Sequence, residues 1–149
     1  MFFFSSEVNE MINVVICCAG GFSSSFLARK VEKEIKEMGY EDKMHVIFKP
    51  FGNFKKEHEQ CDVVMLCPHL RFDAENWLKE NELDFPVYMI PTQIYGLIGA
   101  KTILEDAEDI IEVYKNNHIN PAYFPGESDC TQNKRKVSYR EEMKKKGNE

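Results

Sequence analysis

The chain has 149 residues, of which 43% are hydrophobic and 30% charged, and its formal net charge is −6. These values fit one globular domain with a single hydrophobic core, and no apolar run approaches the roughly 18 residues of a membrane-spanning helix. The first ten residues lack the basic flank and small-residue cleavage pattern of a signal peptide, so we expect a cytoplasmic protein.

The cysteine content narrows the kinds of site that are expected. Five cysteines are present, Cys17, Cys18, Cys61, Cys67 and Cys130. In a reducing compartment, an odd set without regular spacing does not predict a disulfide framework. None of them forms a CxxC pair, so a zinc site is not expected.

The first predicted element is a buried strand. Residues 12–17 form a continuous apolar run rich in β-branched side chains, which is typical of a strand covered on both faces. A turn containing glycine follows, and apolar residues then recur at helical spacing until Gly39 ends the helix. The residues that mark this helical face are Leu27, Val31, Ile35 and Met38.

Three further apolar runs, at residues 44–48, 62–67 and 87–90, predict three more strands. Helical patterns lie between the last two runs, around residues 72–83, and after the fourth strand, from Ile103 to Tyr114. Strands that alternate with helices imply parallel pairing and right-handed crossovers. The predicted fold is therefore α/β, an open four-stranded parallel sheet with helices on both faces.

The last part of the chain shows no core periodicity. Turn-forming and charged residues dominate from Asn116 onward, and residues 134–149 carry seven Lys or Arg against three Glu. We therefore divide the chain into an extension at residues 1–10, a domain at 11–115 and a mostly disordered tail at 116–149. Because the rest of the chain is acidic, the basic tail is weak support for nucleic-acid binding, and no nucleic-acid partner is expected.

The most informative segment follows the first strand, at the sheet edge where open parallel sheets bind their ligands. Its glycines let backbone N–H groups turn inward, and its serines offer hydroxyl donors and a helix cap. The segment consists of Cys18, Ala19, Gly20, Gly21, Phe22, Ser23, Ser24 and Ser25. Such a loop suits a tetrahedral oxyanion, and the start of the next helix favours a thiolate, the nucleophilic form of cysteine. We predict Cys18 as a catalytic nucleophile, with Ala19 to Ser25 binding phosphate.

Three other interpretations of this loop stay open. Cys17 and Cys18 could be small buried residues that end a core strand, and Cys17 belongs to the apolar run. A hydrolase of the low-molecular-weight phosphatase type would carry an arginine six residues after its cysteine, but Ser23 and Ser24 stand at those positions. A non-catalytic phosphate-binding module of the same fold would not need a thiol.

Three segments together resemble a known family. CAGGFSSSFLA at 18–28 is similar to a phosphocysteine loop with its following helix, and Cys18 takes the cysteine position without a gap. CDVVMLCPHL at 61–70 is similar to the third strand and proline turn of that family, and YGLIGAKTILEDAEDII at 95–111 to the segment leading into its last helix. The family is the IIB component of the bacterial sugar phosphotransferase system, of the lactose, cellobiose and chitobiose type.

The resemblance covers about Met11 to Tyr114 and implies a phosphocarrier that acts as a protein-phosphohistidine–sugar phosphotransferase. Such a protein accepts a phosphoryl group from a IIA phosphohistidine, here onto Cys18, and passes it to a sugar imported by a membrane IIC transporter. No metal or organic cofactor is implied, and the domain would be cytoplasmic and reach the membrane through the transporter. Cys67 and His69 stand where glycine and glutamine are expected in the family, which leaves the sugar open.

A few other side chains are candidates for contacts at this edge. His69 follows the third strand and could touch the phosphoryl group or its donor, although a lone loop histidine is more often solvated. By resemblance Tyr95 lies near the cysteine loop, and otherwise it would line the sheet edge. Phe22 is expected to be exposed and to form part of a docking surface for partner proteins. Phe72, Trp77 and Phe85 are expected to pack on the sheet.

Overall fold

The computed structural model describes residues 11–18, 22–56, 61–95, 97–127 and 134–147, with only the backbone of residues 22–25. Within these residues, four strands form one parallel sheet, namely β1 (Ile12–Cys18), β2 (Met44–Pro50), β3 (Val63–Leu66) and β4 (Val87–Met89). Their order across the sheet is β2-β1-β3-β4, and every neighbouring pair runs parallel. The predicted open four-stranded α/β sheet is confirmed.

In the described part of the chain, six α-helices connect or follow the strands: α1 (Phe22–Met38), α2 (Phe51–Lys56), α3 (Arg71–Leu78), α4 (Thr92–Tyr95), α5 (Ala100–Asn117) and α6 (Tyr139–Gly147). A 3-10 turn at Pro68–Leu70 leads into α3. The α3 helix ends at Leu78, earlier than the predicted residue 83. One reason is that the Asn81 side chain donates to the Trp77 carbonyl at 2.9 Å and so competes with the next helical hydrogen bond.

The sheet separates two buried clusters of side chains. One face packs against α1 and α5 through residues such as Val31 and Ile103, both fully buried. The other face packs against α2 and α3, where Phe54 is buried and Trp77 packs at the edge of the cluster. Phe85 also packs on the sheet as predicted.

The prediction for Phe72 is wrong, because this side chain is 70% exposed. It lies on the first turn of α3, whose buried position is Ala74. The helix therefore turns Ala74 toward the sheet and Phe72 toward solvent.

The described part of the C-terminal segment is packed against the domain, so the prediction of a mostly disordered tail does not hold there. Ala122 pairs with Tyr88 in a parallel bridge, and its amide donates to the Val87 carbonyl at 2.8 Å. Phe124, only 2% exposed, lies edge-on to Tyr88 and stacks on Tyr139 with ring centroids 4.3 Å apart. These contacts cover the outer edge of β4, which would otherwise present unpaired backbone groups.

A buried arginine fixes the second part of this segment. Arg135 is 4% exposed, and its Nη1 lies 3.2 Å from Asp106 Oδ2 of α5. Its Nε and Nη2 donate to the two oxygens of Glu127 at 2.8 and 2.9 Å, and Nη2 also donates to the Tyr88 hydroxyl at 2.6 Å. Burial raises the pKa of Asp106, while the Arg135 guanidinium and the Tyr139 amide oppose that rise. Polar residues without periodicity thus tie α6 to α5.

The boundaries of the domain at residues 11 and 115 stay a prediction, and the proposed extension at 1–10 lies outside the described residues. Within the described part of the chain, no helix combines the length and apolar character needed to cross a membrane.

Candidate functional site

The carboxyl ends of the four described strands meet at one edge of the sheet. Cys18 ends β1 beside Pro50, the last residue of β2. On the other side of β1, the Cys67 amide donates to the Cys17 carbonyl at 3.1 Å, which completes the pairing of Cys17 with Leu66 at the end of β3. The Ile90 amide donates in turn to the Leu66 carbonyl at 2.9 Å, which brings the end of β4 to the same edge.

The two adjacent cysteines of β1 lie in different environments. Cys17 is 0% exposed, and burial together with the neighbouring thiols of Cys18 and Cys61 raises its pKa to about 12. Such a thiol stays protonated near neutral pH and is a poor nucleophile. Cys18 keeps 7% of its surface exposed at the end of the strand. Of this pair, Cys18 is therefore the thiol in contact with solvent.

The predicted phosphate-binding segment falls only partly within the described residues. Ala19, Gly20 and Gly21 lie outside them, and for Phe22 to Ser25 the backbone alone is described, as the first turn of α1. The first amides of an α-helix have no partner within the helix. Such free amides lie at the start of α1, four residues after Cys18. Phosphate binding by this segment stays a prediction for all seven of its residues, Ala19, Gly20, Gly21, Phe22, Ser23, Ser24 and Ser25.

His69 and Tyr95 come together at this edge. His69 lies in the 3-10 turn after β3, is exposed, and meets the Tyr95 ring edge-on with centroids 5.9 Å apart. Tyr95 ends α4, is half-buried, and packs against both core clusters, one of which contains Cys18. Their contact with a phosphoryl group stays a prediction, but the two rings lie in contact with each other at the carboxyl edge of the sheet.

Two residues that the sequence did not single out join α1 to the segment after Tyr95. Lys30 Nζ donates to the carbonyls of Leu97 and Ile98 at 3.3 and 3.2 Å. Glu34 Oε1 accepts the amide hydrogen of Ala100, the first residue of α5, at 2.8 Å. A carboxylate at a helix N-terminus also interacts favourably with the helix dipole.

This contact was hidden in the sequence because a lysine and a glutamate four residues apart on a helix usually form a solvated surface pair. The one local signal was Gly99, which allows the close approach of the two elements. Lys30 and Glu34 hold the segment that follows Tyr95 against the helix that follows Cys18. We refer to this set of contacts as the α1 clamp.

No cluster of three or more metal-ligating side chains occurs among the described residues.

An open parallel α/β sheet with a cysteine at the end of its first strand, just before a helix N-terminus, defines a class of proteins suited to covalent chemistry on oxyanions. Residues 13–106, more than half of the chain, match the family model of the lactose/cellobiose-specific IIB subunit of the phosphotransferase system. The chain belongs to this family. It is a phosphocarrier of a sugar phosphotransferase system and a transferase whose family carries a cysteine phosphorylation site. A comparison with curated proteins gave no significant match.

Proposed function

We propose that Cys18 is the residue that carries the phosphoryl group, taking it from the phosphohistidine of a IIA protein and giving it to a sugar. In the first step the Cys18 thiolate attacks phosphorus, an S–P bond forms, and the N–P bond breaks with its electron pair left on the histidine. In the second step a sugar hydroxyl attacks phosphorus, an O–P bond forms, the S–P bond breaks, the hydroxyl proton passes to solvent, and the thiolate is regenerated. Each step exchanges one bond to phosphorus for another.

The observation that carries this proposal is the contrast between the two cysteines of β1. Cys17 is wholly buried with a pKa raised to about 12, whereas Cys18 is the last residue of the strand and reaches solvent. The chain leaves Cys18 for a glycine- and serine-rich turn and the start of α1. We propose that amides and hydroxyls of Ala19 to Ser25 hold the three phosphoryl oxygens on the sulfur.

The partners proposed for the two steps follow from the family. A IIA protein is the donor, and a membrane IIC transporter brings a sugar of the cellobiose, chitobiose or lactose kind as acceptor. The domain would then work in the cytoplasm and reach the membrane only through its transporter. The exposed side chains of Phe26 and Leu97, on α1 and just after Tyr95, support a protein partner approaching this edge.

We also propose that His69 and Tyr95 line the approach of the donor. Tyr95→Phe keeps the ring that packs on His69 and removes only the hydroxyl, so it separates a polar contact from a packing role. If the hydroxyl contacts the phosphoryl group, Tyr95→Phe should slow transfer from IIA by about tenfold, the equivalent of about 1.4 kcal/mol. An unchanged transfer rate would leave Tyr95 as packing alone.

A carrier and a hydrolase differ in whether the phosphoryl group on the protein is passed to an acceptor protein or lost to water. The phosphorylated protein is freed of donor and followed by intact mass with and without unphosphorylated IIA. A carrier keeps its phosphoryl group in buffer and loses it when IIA is added. Rapid loss in buffer, or steady turnover of p-nitrophenyl phosphate that Cys18→Ala abolishes, would instead identify a hydrolase.

A further inference from the structure

A second buried thiol stands beside Cys18. The parallel register pairs Cys17 with Leu66, and the Cys67 amide donates to the Cys17 carbonyl at 3.1 Å, the hydrogen bond that completes this last pair. Cys18 and Cys67 are the residues that directly follow this pair on the two strands. Both belong to the cluster packed under α2 and α3, and both are in the thiol form.

The spacing of adjacent strands suits a disulfide between Cys18 and Cys67. Neighbouring strands lie about 4.7–4.9 Å apart, and disulfides join Cα atoms about 4.4–6.8 Å apart. Cys18 is the last residue of β1 and Cys67 directly follows β3, so a small adjustment at the end of each strand leaves the rest of the ladder in place.

The two thiols differ in their access to solvent. Cys18 is 7% exposed and Cys67 only 1%, so an oxidant arriving from solvent meets Cys18 first and Cys67 lies behind it. Cys17 is close to both of these thiols but is fully buried, and its raised pKa keeps it protonated. Cys18 and Cys67 thus have the arrangement of a thiol that is oxidised first and a second thiol that resolves the product into a disulfide.

We infer that Cys18 and Cys67 form a reversible oxidation site, in which a hydroperoxide oxidises Cys18 and Cys67 converts the product to a disulfide. The Cys18 thiolate sulfur attacks the O–O bond, forms an S–O bond, and releases hydroxide or alkoxide. The Cys67 sulfur then attacks the Cys18 sulfur, the S–O bond breaks, and water leaves with the proton of the Cys67 thiol. The peroxide gains two electrons and the two thiols lose them.

The consequence for transfer rests on the proposed function of Cys18. A disulfide occupies the sulfur that would attack the phosphohistidine, so oxidised protein accepts no phosphoryl group until a thiol reductant restores Cys18. Without Cys67 the sulfenic acid has no resolving partner and proceeds to the sulfinic acid, which thiol reductants do not reverse.

The test oxidises the full chain with hydrogen peroxide and maps disulfides by mass spectrometry of a non-reducing digest. We expect a mass loss of about 2 Da, the removal of two hydrogens, and a peptide in which Cys18 is linked to Cys67. Cys61→Ser, which removes a half-buried thiol at the edge of the same cluster, should form the same link. Cys67→Ala should gain oxygen instead and should recover little phosphoryl acceptance after dithiothreitol, whereas the wild type recovers fully.

A wild-type digest without this link, or with Cys67 joined to Cys17 or Cys61, would overturn the inference without depending on any variant. Full recovery of phosphoryl acceptance by oxidised Cys67→Ala after dithiothreitol would also overturn the inference. The link can form even if unoxidised protein takes no phosphoryl group at Cys18, and that result would refute the proposed function while the oxidation site stands.

Discussion

The carboxylate of Glu34 occupies the space in which a side chain at Gly99 would begin. A Cβ at position 99 would lie 2.4 Å from Glu34 Oε1, the same oxygen that accepts the Ala100 amide hydrogen. The φ of Gly99 is −131° with ψ −179°, an extended backbone that any residue adopts. Any larger residue here would have to push the Glu34 carboxylate aside, because the α1 clamp brings that carboxylate against the start of α5.

Gly99→Ala should displace this carboxylate and leave the Ala100 amide without its acceptor. We expect the free energy of unfolding to fall by about 1–3 kcal/mol, the cost of an unsatisfied buried donor. In a Glu34→Ala background the carboxylate is already absent, so the same change should cost less than about 0.5 kcal/mol. Urea unfolding of the four proteins in this cycle measures both costs, and equal costs in the two backgrounds would contradict the clamp.

The buried thiol of Cys17 should make stability depend on pH in the alkaline range. Its pKa is about 12 in the folded protein against an ordinary value of 9.0. Between these values the unfolded chain releases the thiol proton while the folded chain keeps it, so this contribution is complete below pH 9 and is lost as pH rises toward 12. The loss is at most about 1.4 kcal/mol per pH unit.

Comparison with Cys17→Ala isolates this contribution from the lysines and tyrosines that titrate in the same range. The difference in unfolding free energy between wild type and variant should shrink as the pH is raised from 8 to 10.5. Urea unfolding of both proteins at several pH values measures this difference in unfolding free energy. A difference that stays constant over this range would mean that the thiol keeps its ordinary pKa in the folded protein.

Arg135 should be a main anchor of the C-terminal segment. Arg135→Met leaves the buried carboxylate of Asp106 without its ion-pair partner and removes two hydrogen bonds to Glu127. We expect a loss of about 3–5 kcal/mol in unfolding free energy, as for other broken buried pairs.

Arg140→Met is the matched control, since it is the same substitution in the same segment. Arg140 pairs with Glu108 and Asp109 but keeps 34% of its side chain exposed, so its removal should cost less than about 1 kcal/mol. Chemical unfolding of both variants gives the comparison. Equal losses would show that burial of Arg135 does not determine how the segment is held.

The sheet was predictable largely because three of its strands, β1, β3 and β4, are buried over most of their length. Such strands appear as continuous apolar runs, and the helices on the two faces show apolar residues at helical spacing. The C-terminal segment was not predictable in this way. The contacts that hold it include those of Arg135, the stacking of Phe124 on Tyr139, and the bridge of Ala122 to Tyr88, and none of these leaves a periodic pattern.

The site was predictable in part for a related reason. A thiol, glycines and serines that follow a strand are adjacent in the sequence, so the pattern around Cys18 is local. The α1 clamp depends on Lys30 and Glu34 meeting a segment more than 60 residues away, and the pairing of Cys17 with Leu66, which brings the chain at Cys67 beside the end of β1, depends on strand register. Neither relationship can be found without the order of the strands.

Identifying the phosphorylated cysteine tests the central claim most directly. Wild type, Cys17→Ala and Cys18→Ala are incubated with phosphoenolpyruvate, the general phosphotransferase proteins and the cognate IIA, and their intact masses are measured at neutral pH, where the S–P bond survives. Wild type and Cys17→Ala should each gain one phosphoryl group, and Cys18→Ala should gain none while remaining folded. Full phosphorylation of Cys18→Ala, or its loss in a folded Cys17→Ala protein, would contradict the assignment of Cys18.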